Sequence, residues 1–274
     1  MVVYAGQGDP RRSMRLLWRA AEDAGEGGAG VARPGPRPGL SVEEVVGAAI
    51  AIADRDGMAA LSMRAVGERL GRTAMALYTY VPNKAELIDL MCDAVRRELP
   101  VDYPLGGGWR PALEAWAADT RAFYLRHPWV LQVSQARPVL GPGEFAALEA
   151  LLRVLRGTGL PVGVLRGVVG ALTQFVRGAA AVVSDARRAA ADTGVSDEEW
   201  WFARSPVLDE VAPDFGERFP LAAWIGVEEP PPVPGDPCAS YLERGAVEGF
   251  TAGLAVLLDG IEVAVARLGE GAPA

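Results

Sequence analysis

One short stretch of the chain carries small and phenolic side chains in an order that suits contact with DNA. Ala74, Met75 and Ala76 come first and Tyr78 and Tyr80 follow, so a helix through them would present small groups ahead and phenols behind to a major groove. Arg64, a little earlier, could reach a guanine or a phosphate, the competing reading being a solvated helix arginine. Catalytic chemistry is poorly represented. There is no G-x-S-x-G, no phosphate-cradling loop and no cluster of Cys and His, and His127 is the only histidine. Glu198 and Glu199 read as a solvated helix start. The sequence therefore predicts no catalytic residues and no enzyme.

Holding that stretch in place needs a set of short helices. Ser41, with Glu44 three residues on, forms a capping pattern, and Val42, Val45, Val46, Ala49, Ile50 and Ala53 recur at helical spacing until Gly57 ends the run. Ser62 caps a second, shorter helix whose Val66 and Leu70 face inward. Gly71 can take the positive φ that a tight turn demands. Thr73 then starts a third helix through Tyr78, and a long fourth helix runs over 83–99.

Composition bounds the rest. At 274 residues and 50% hydrophobic content, the chain can bury a sizeable core and is long for one domain. A net charge of -8 opposes phosphate binding overall, yet from Arg33 to Lys84 seven cations stand against five acids. An acidic body behind a mildly basic face would repel non-specific DNA. Every apolar run of bilayer-spanning length is interrupted by charge, at Arg166 and Arg177 and again at Asp259 and Glu262. The N-terminus lacks the pattern of a secretory signal, and Cys92 and Cys238 read as reduced thiols. These features predict a cytoplasmic protein with no membrane partner.

Three segments emerge. Residues 1–39 carry an amphipathic candidate near 13–22 and then a Gly/Pro linker; Arg37, with Arg33, reads either as a basic arm into an adjacent minor groove or as an exposed linker arginine. Residues 40–99 hold the helices just described. Residues 100–274 show helical spacing over 109–126, 143–156, 161–191 and 240–268, broken by Pro and Gly. No segment alternates like a strand, so the expected fold is all-α.

The stretches L-S-M-R-x-V-x-x-x-L-G (61–71) and A-L-Y-x-Y-V-x-N-K (76–84) resemble the N-terminal domain of TetR-type transcriptional regulators. Farther on, RHPWVLQVSQARPVLGP (126–142) is similar in order and length to the tetracycline-repressor-like ligand domain. The resemblance implies a helix-turn-helix domain followed by a larger helical domain for ligand binding and dimerisation. It places Ala74, Met75 and Ala76 at base-edge positions and Ser62, Thr73, Tyr78, Tyr80 and Lys84 at phosphate-contact positions. Two departures matter. Three apolar recognition side chains cannot donate hydrogen bonds, so direct readout would rest on Arg64 and on thymine methyl contacts, with DNA shape contributing. Arg72 stands where the family usually has a core Val or Ile, and its stem can pack while its guanidinium reaches towards phosphate.

In the second domain nearly all the large rings gather, most of them core by default. Polar residues interleave with them, so Trp116, Asp119, Phe123, Gln135, Arg137, Gln174, Phe175 and Trp201 are the candidates to orient a small, largely apolar effector. Resemblance puts Asp119, Phe123 and Arg137 near ligand-contacting positions. It also puts Pro100 and Val133 where the parent group's magnesium-tetracycline histidines lie, so no metal and no cofactor are expected, and His127 reads as a cap or structural residue. Small residues stripe the last long helices, Gly167, Gly170, Ala171, Gly178 and Val182 on one and Ala246, Gly249, Gly253, Ala255 and Val256 on the other. Core packing within one chain is one reading. The family's four-helix dimer interface is the other, and a palindromic operator would require it. The expected function is a homodimeric, ligand-responsive repressor of a double-stranded operator. The alternative is a helical protein that sequesters a small molecule and carries a degenerate reader.

Overall fold

The computed structural model describes residues 3–25, 40–227 and 241–270. Arg33, Arg37, Cys238 and the Gly/Pro linker lie outside the described residues. The chain divides into two compact units, one of residues 1–177 with 258–274 and one of residues 178–257.

In the first unit the capping box forms as its residues demand. Ser41 Oγ accepts from the Glu44 amide at 3.1 Å while Glu44 Oε2 accepts from the Ser41 amide at 2.7 Å, starting α2 (Val42–Asp56). The inward stripe of Val45, Val46, Ala49, Ile52 and Ala53 is buried. Ser62 caps α3 (Met63–Leu70), which ends at Gly71 with φ 64°. Here the chain doubles back so closely that a Cβ on Gly67 would lie 2.7 Å from the Arg72 carbonyl oxygen. The third helix, α4 (Ala74–Leu77), is capped by Thr73 and closed by Tyr78. Pro82 biases Val81 away from helical geometry, so the backbone closes with the amides of Tyr80 and Val81 both on the Leu77 carbonyl and the phenols sit in the turn. Asn83 Oδ1 then accepts from the Ala85 and Glu86 amides at 2.8 and 3.0 Å and caps α5 (Lys84–Arg96).

On α5 pack an N-terminal helix, α1 (Pro10–Gly25), and α7 (Pro142–Arg156); α6 (Trp109–Arg126) packs on α7 and on a 3-10 turn at Pro128–Gln132, and the first part of α8 (Val162–Thr193) belongs to the same unit. Leu17, Leu87, Met91, Leu113, Trp129, Leu155 and Leu172 fill the core almost without exposure. The described residues are all-α as expected, apart from two strands of two residues each, β1 (Val3–Tyr4) and β2 (Val133–Ser134), paired in parallel with Val3 opposite Val133. Segments this short leave no alternation to read.

The second unit holds the rest of α8, α9 (Asp197–Val211), α10 (Phe215–Arg218), α11 (Pro220–Val227) and the start of α12 (Tyr241–Glu270). Ser196 and Glu199 make a second capping box at the start of α9. Arg187 pairs with Glu243 across α8 and α12. Both of these helices are long and apolar enough by composition to cross a bilayer, but each carries charges along its length and leaves valines exposed, Val162, Val164 and Val182 on α8 and Val247, Val256 and Val263 on α12.

Candidate functional site

Two surfaces carry candidate chemistry, a projecting turn and a cavity, and α5 belongs to both. On the turn, Met75 is 76% exposed at the tip of α4, flanked by half-buried Ala74 and Ala76. These three side chains offer methyl and thioether groups alone. Polar groups ring them. Thr73 Oγ1 accepts from the Ala76 amide at 3.3 Å and Ser62 Oγ from the Ala65 amide at 3.1 Å, so each hydroxyl is spent as an acceptor while its proton remains to be donated. Tyr78 is exposed and Tyr80 half-buried. Arg64 is exposed and its Nε donates to Glu68 Oε1 at 2.8 Å, one turn along α3. Arg72 is exposed just past the turn. Lys84 Nζ donates to the Leu61 carbonyl at 2.5 Å, a link of 23 residues that sequence spacing does not reveal.

The later turns of α5 line a cavity of about 510 Å³. Cys92 and Arg96 enter it from α5 and Leu99 from the turn after it, Trp116, Thr120, Phe123 and Tyr124 from α6, Gln135 and Arg137 from the loop, Glu144, Phe145 and Leu148 from α7, and Thr173 and Gln174 from α8. Polar atoms are tied across this wall. Gln174 Nε2 donates to Gln135 Oε1 at 3.1 Å, and Gln135 Nε2 to the Tyr124 hydroxyl at 3.3 Å. Arg96 donates to the Cys92 carbonyl at 2.7 Å with Glu144 3.9 Å away. Thr120 Oγ1 is buried with no hydrogen-bond partner among the described residues, a polar atom available to an occupant. Burial pushes the Cys92 thiol up to about 11, so it sits in the wall as an inert, compact apolar group.

Of the residues singled out from sequence, Trp116, Phe123, Gln135, Arg137 and Gln174 line the cavity; Asp119, Phe175 and Trp201 do not. On α6 the lining positions fall at 116, 120, 123 and 124, one face of a helix, and Asp119 is turned off that face. Its charge lies by Tyr103, whose phenol is held above its ordinary range by burial and then by Asp119. Phe175 follows Gln174 by one residue and so points a quarter-turn away. Trp201 is exposed in the second unit. The contribution of α5 was missed, although Cys92 and Arg96 stand four residues apart, the spacing that marks one helix face.

A joint ties this body to α2. Asp54 Oδ1 meets His127 Nδ1 at 2.8 Å and accepts from Trp129 Nε1 at 2.8 Å, and His127 Nε2 meets Glu98 Oε2 at 3.1 Å. Burial works against ionisation of Glu98, but hydrogen bonds from His127 and Arg126 hold its carboxyl below the ordinary range. The Phe123 ring, part of the cavity wall, lies 5.7 Å from the His127 ring. The histidine is thus the C-cap of α6 and a structural residue, as the sequence suggests. Among the described residues no group of His, Cys, Asp and Glu is arranged to hold a metal ion.

Comparison with known proteins bears on both surfaces. Residues 45–91 match the family of bacterial regulatory proteins called tetR, and residues 103–265 match the tetracyclin repressor-like C-terminal domain. The HTH-type transcriptional repressor DrrR1 of Streptomyces coeruleorubidus is 42% identical over 273 residues, which cover 98% of this chain and 92% of that protein. Apo ActR from Streptomyces coelicolor has the same fold, with 23% identity, a TM-score of 0.62 and coverage of 85% of this chain and 100% of that one. ActR in complex with (S)-DNPA is similar at 26% identity and a TM-score of 0.59, over 81% of this chain and 99% of that one.

Proposed function

Because the chain belongs to the TetR family of bacterial regulatory proteins, we propose that it represses transcription as a homodimer on a palindromic operator and lets go when a small, largely apolar molecule fills the cavity. One observation carries this reading: α5 begins at the projecting turn, through Asn83 and Lys84, and its later turns form a wall of the cavity. An occupant that displaces Cys92 or Arg96 acts on the same rigid element that positions the reader. The Phe123–His127–Asp54 contacts give a second route, from the cavity wall into α2. Such coupling needs only a preference of a few kcal/mol between the two states.

Arg64, Ser62, Arg72, Thr73, Tyr78, Tyr80 and Lys84 would contact guanine or phosphate, while Ala74, Met75 and Ala76 meet thymine methyls. A dimer built through the exposed stripes of α8 and α12 would set two readers about 34 Å apart. The cavity takes a molecule of drug-like size whose rings stack among Trp116, Phe123 and Phe145 and whose polar groups reach Thr120, Gln135 and Gln174. Operators are met in the cytoplasm. Sequestration without DNA binding is not favoured, since the caps and the turn that aim the reader are intact and the relative matched over nearly the whole chain is a repressor.

Fluorescence anisotropy with fragments of the protein's own upstream region, titrated with salt and then with a panel of aromatic metabolites, tests the proposal. Salt-sensitive, sequence-specific binding that a panel member reverses is the expected result. Equal binding to scrambled DNA, or none at any salt, leaves sequestration.

A further inference from the structure

Residues 3–19 precede both matched regions, yet they are built into the cavity's surroundings rather than appended to them. Ala5 is 2% exposed and lines the cavity. Just before it, β1 pairs with β2, whose Val133 and Ser134 also line the cavity. Just after it, the Gly6 amide donates to Asp89 Oδ1 on α5 at 2.8 Å. Gly8 lets the chain pass tightly by: a Cβ there would come within 2.8 Å of the Glu86 Cγ and 2.7 Å of the Ser13 hydroxyl. Then α1 packs on both α5 and α7 through buried Leu17. Midway along α1 the Trp18 indole donates to the Leu140 carbonyl at 3.3 Å, and its ring stands 6.4 Å from that of Phe145. Leu140 and Phe145 are both cavity residues, and Leu140 holds a positive φ of 62°, strained for a leucine.

Taken together, these contacts put one segment across three parts of the wall, the β2 loop, α5 and the start of α7. We propose that residues 3–19 are a strap of the effector site: they close one side of the cavity, fix the rim at Leu140 and Phe145, and so limit the size of the molecule accepted. This rests on the cavity being the effector site. The strap also reports to the reader, because its Gly6 amide is held by α5. Its seat is incomplete: Ser13 Oγ and Glu86 Oε2 are buried between α1 and α5 with no hydrogen-bond partner among the described residues. Such unpaired groups lower the cost of lifting the strap. A bulkier occupant would lift it and release Asp89, shifting α5; one that fits beneath it would bind without doing so.

Cys92, fully buried in the cavity wall, gives a direct readout, since a thiol reagent reaches it only when the cavity opens. In a Cys238→Ser background, the rate of Cys92 labelling by a dithiobis-nitrobenzoate reagent is compared among the parent, Trp18→Ala and Gly8→Val. The first variant removes the rim clamp and the second forces the strap off Glu86. Each is expected to be labelled at least about fivefold faster, the change that losing one hydrogen bond makes in a local opening equilibrium, with unchanged far-ultraviolet circular dichroism. Equal rates in both variants, each cooperatively folded, would overturn the strap. Ala147→Trp, which fills the cavity from α7, separates the two readings: if labelling responds to the strap variants but this substitution leaves effector release untouched, the strap stands and the effector reading fails.

Discussion

Replacing His127 is the sharpest test of how the cavity speaks to the reader. Its side chain is 4% exposed and meets Asp54 at 2.8 Å and Glu98 at 3.1 Å. Hydrogen bonds to charged partners are each worth about 1.5–3 kcal/mol. Glu98 is 41% exposed and Asp54 28%, so water recovers part of each loss and the low end applies. His127→Ala should therefore cost about 3 kcal/mol, a fall in Tm of about 6–12 °C for a chain of this size. His127→Gln, which keeps one donor, should cost about half of that. The decisive measurement is functional: the ratio of operator affinity without and with the effector, by anisotropy, at a temperature where both variants are folded. If the joint carries part of the coupling, this ratio falls by about fivefold or more, because loss of the α2 tie leaves the reader indifferent to Phe123. A lowered Tm with an unchanged ratio would refute the reasoning and leave His127 a structural cap.

Three further outcomes follow from the same geometry. Gly67→Ala forces a Cβ to 2.7 Å from the Arg72 carbonyl and should cost about 1–3 kcal/mol by chemical denaturation while abolishing specific operator binding; a stable, binding-competent variant would show that the α3–α4 turn has slack. Arg64→Ala, at an exposed residue held only by Glu68, should leave Tm unchanged and weaken cognate binding by about tenfold or more, with little effect on non-specific DNA; a uniform loss would make it a phosphate contact instead. Asp89 is raised above the carboxylate range by burial, against the Gly6 hydrogen bond and aided by Glu86 and Glu144. The folded chain thus holds this proton more tightly than the unfolded one, so the stabilisation it gives is full below the unfolded value and is lost as pH rises through the folded one. Asp89→Asn keeps an acceptor for Gly6 without a charge, and should raise Tm at neutral pH and flatten its decline from mildly acidic pH; a Tm lower than the parent's at neutral pH would contradict this.

How much of this was legible in the sequence depended on whether the interaction was local. Ser41 with Glu44, Ser62 before Met63, Gly71 and Asn83 announce caps and a turn because their partners lie within four residues, and those elements fall where the spacing predicts. The third helix starts at Thr73 and closes at Tyr78 as the spacing predicts, and what periodicity does not show is the turn beyond it, where Leu77 gathers the amides of Tyr80 and Val81. Long-range features left no trace. Nothing in the order of residues says that Gly6 will meet Asp89, that Lys84 will bind the carbonyl of Leu61, or that Asp54 will sit against His127, separations of 83, 23 and 73 residues. For the cavity, aromatic content pointed to the right region, and helical phase decided which residues face it: Phe123 does, and Phe175, next to Gln174, does not.

The reader's own chemistry explains why those long-range links matter. With Ala74, Met75 and Ala76 at its tip, it offers no hydrogen-bond donor to a base edge, and two of its hydroxyls already serve as caps. On the proposed reading, discrimination would then come from Arg64, from how accurately the phenols are placed on the phosphates, and from the DNA shape they accept. Positional accuracy is a property of what stands behind the turn, namely Lys84 on Leu61, Asn83 at the head of α5, and Asp54 against His127. Small shifts there should switch this reader more completely than one whose recognition helix also grips bases, since only Arg64 would resist the move with a base-specific bond. A reader of this kind gives up intrinsic specificity and gains sensitivity to the cavity. Grafting a polar recognition residue, Ala76→Gln, should therefore raise the effector concentration needed for release from an operator that offers adenine at that position. Tighter operator binding with an unchanged release midpoint would show that the two are independent.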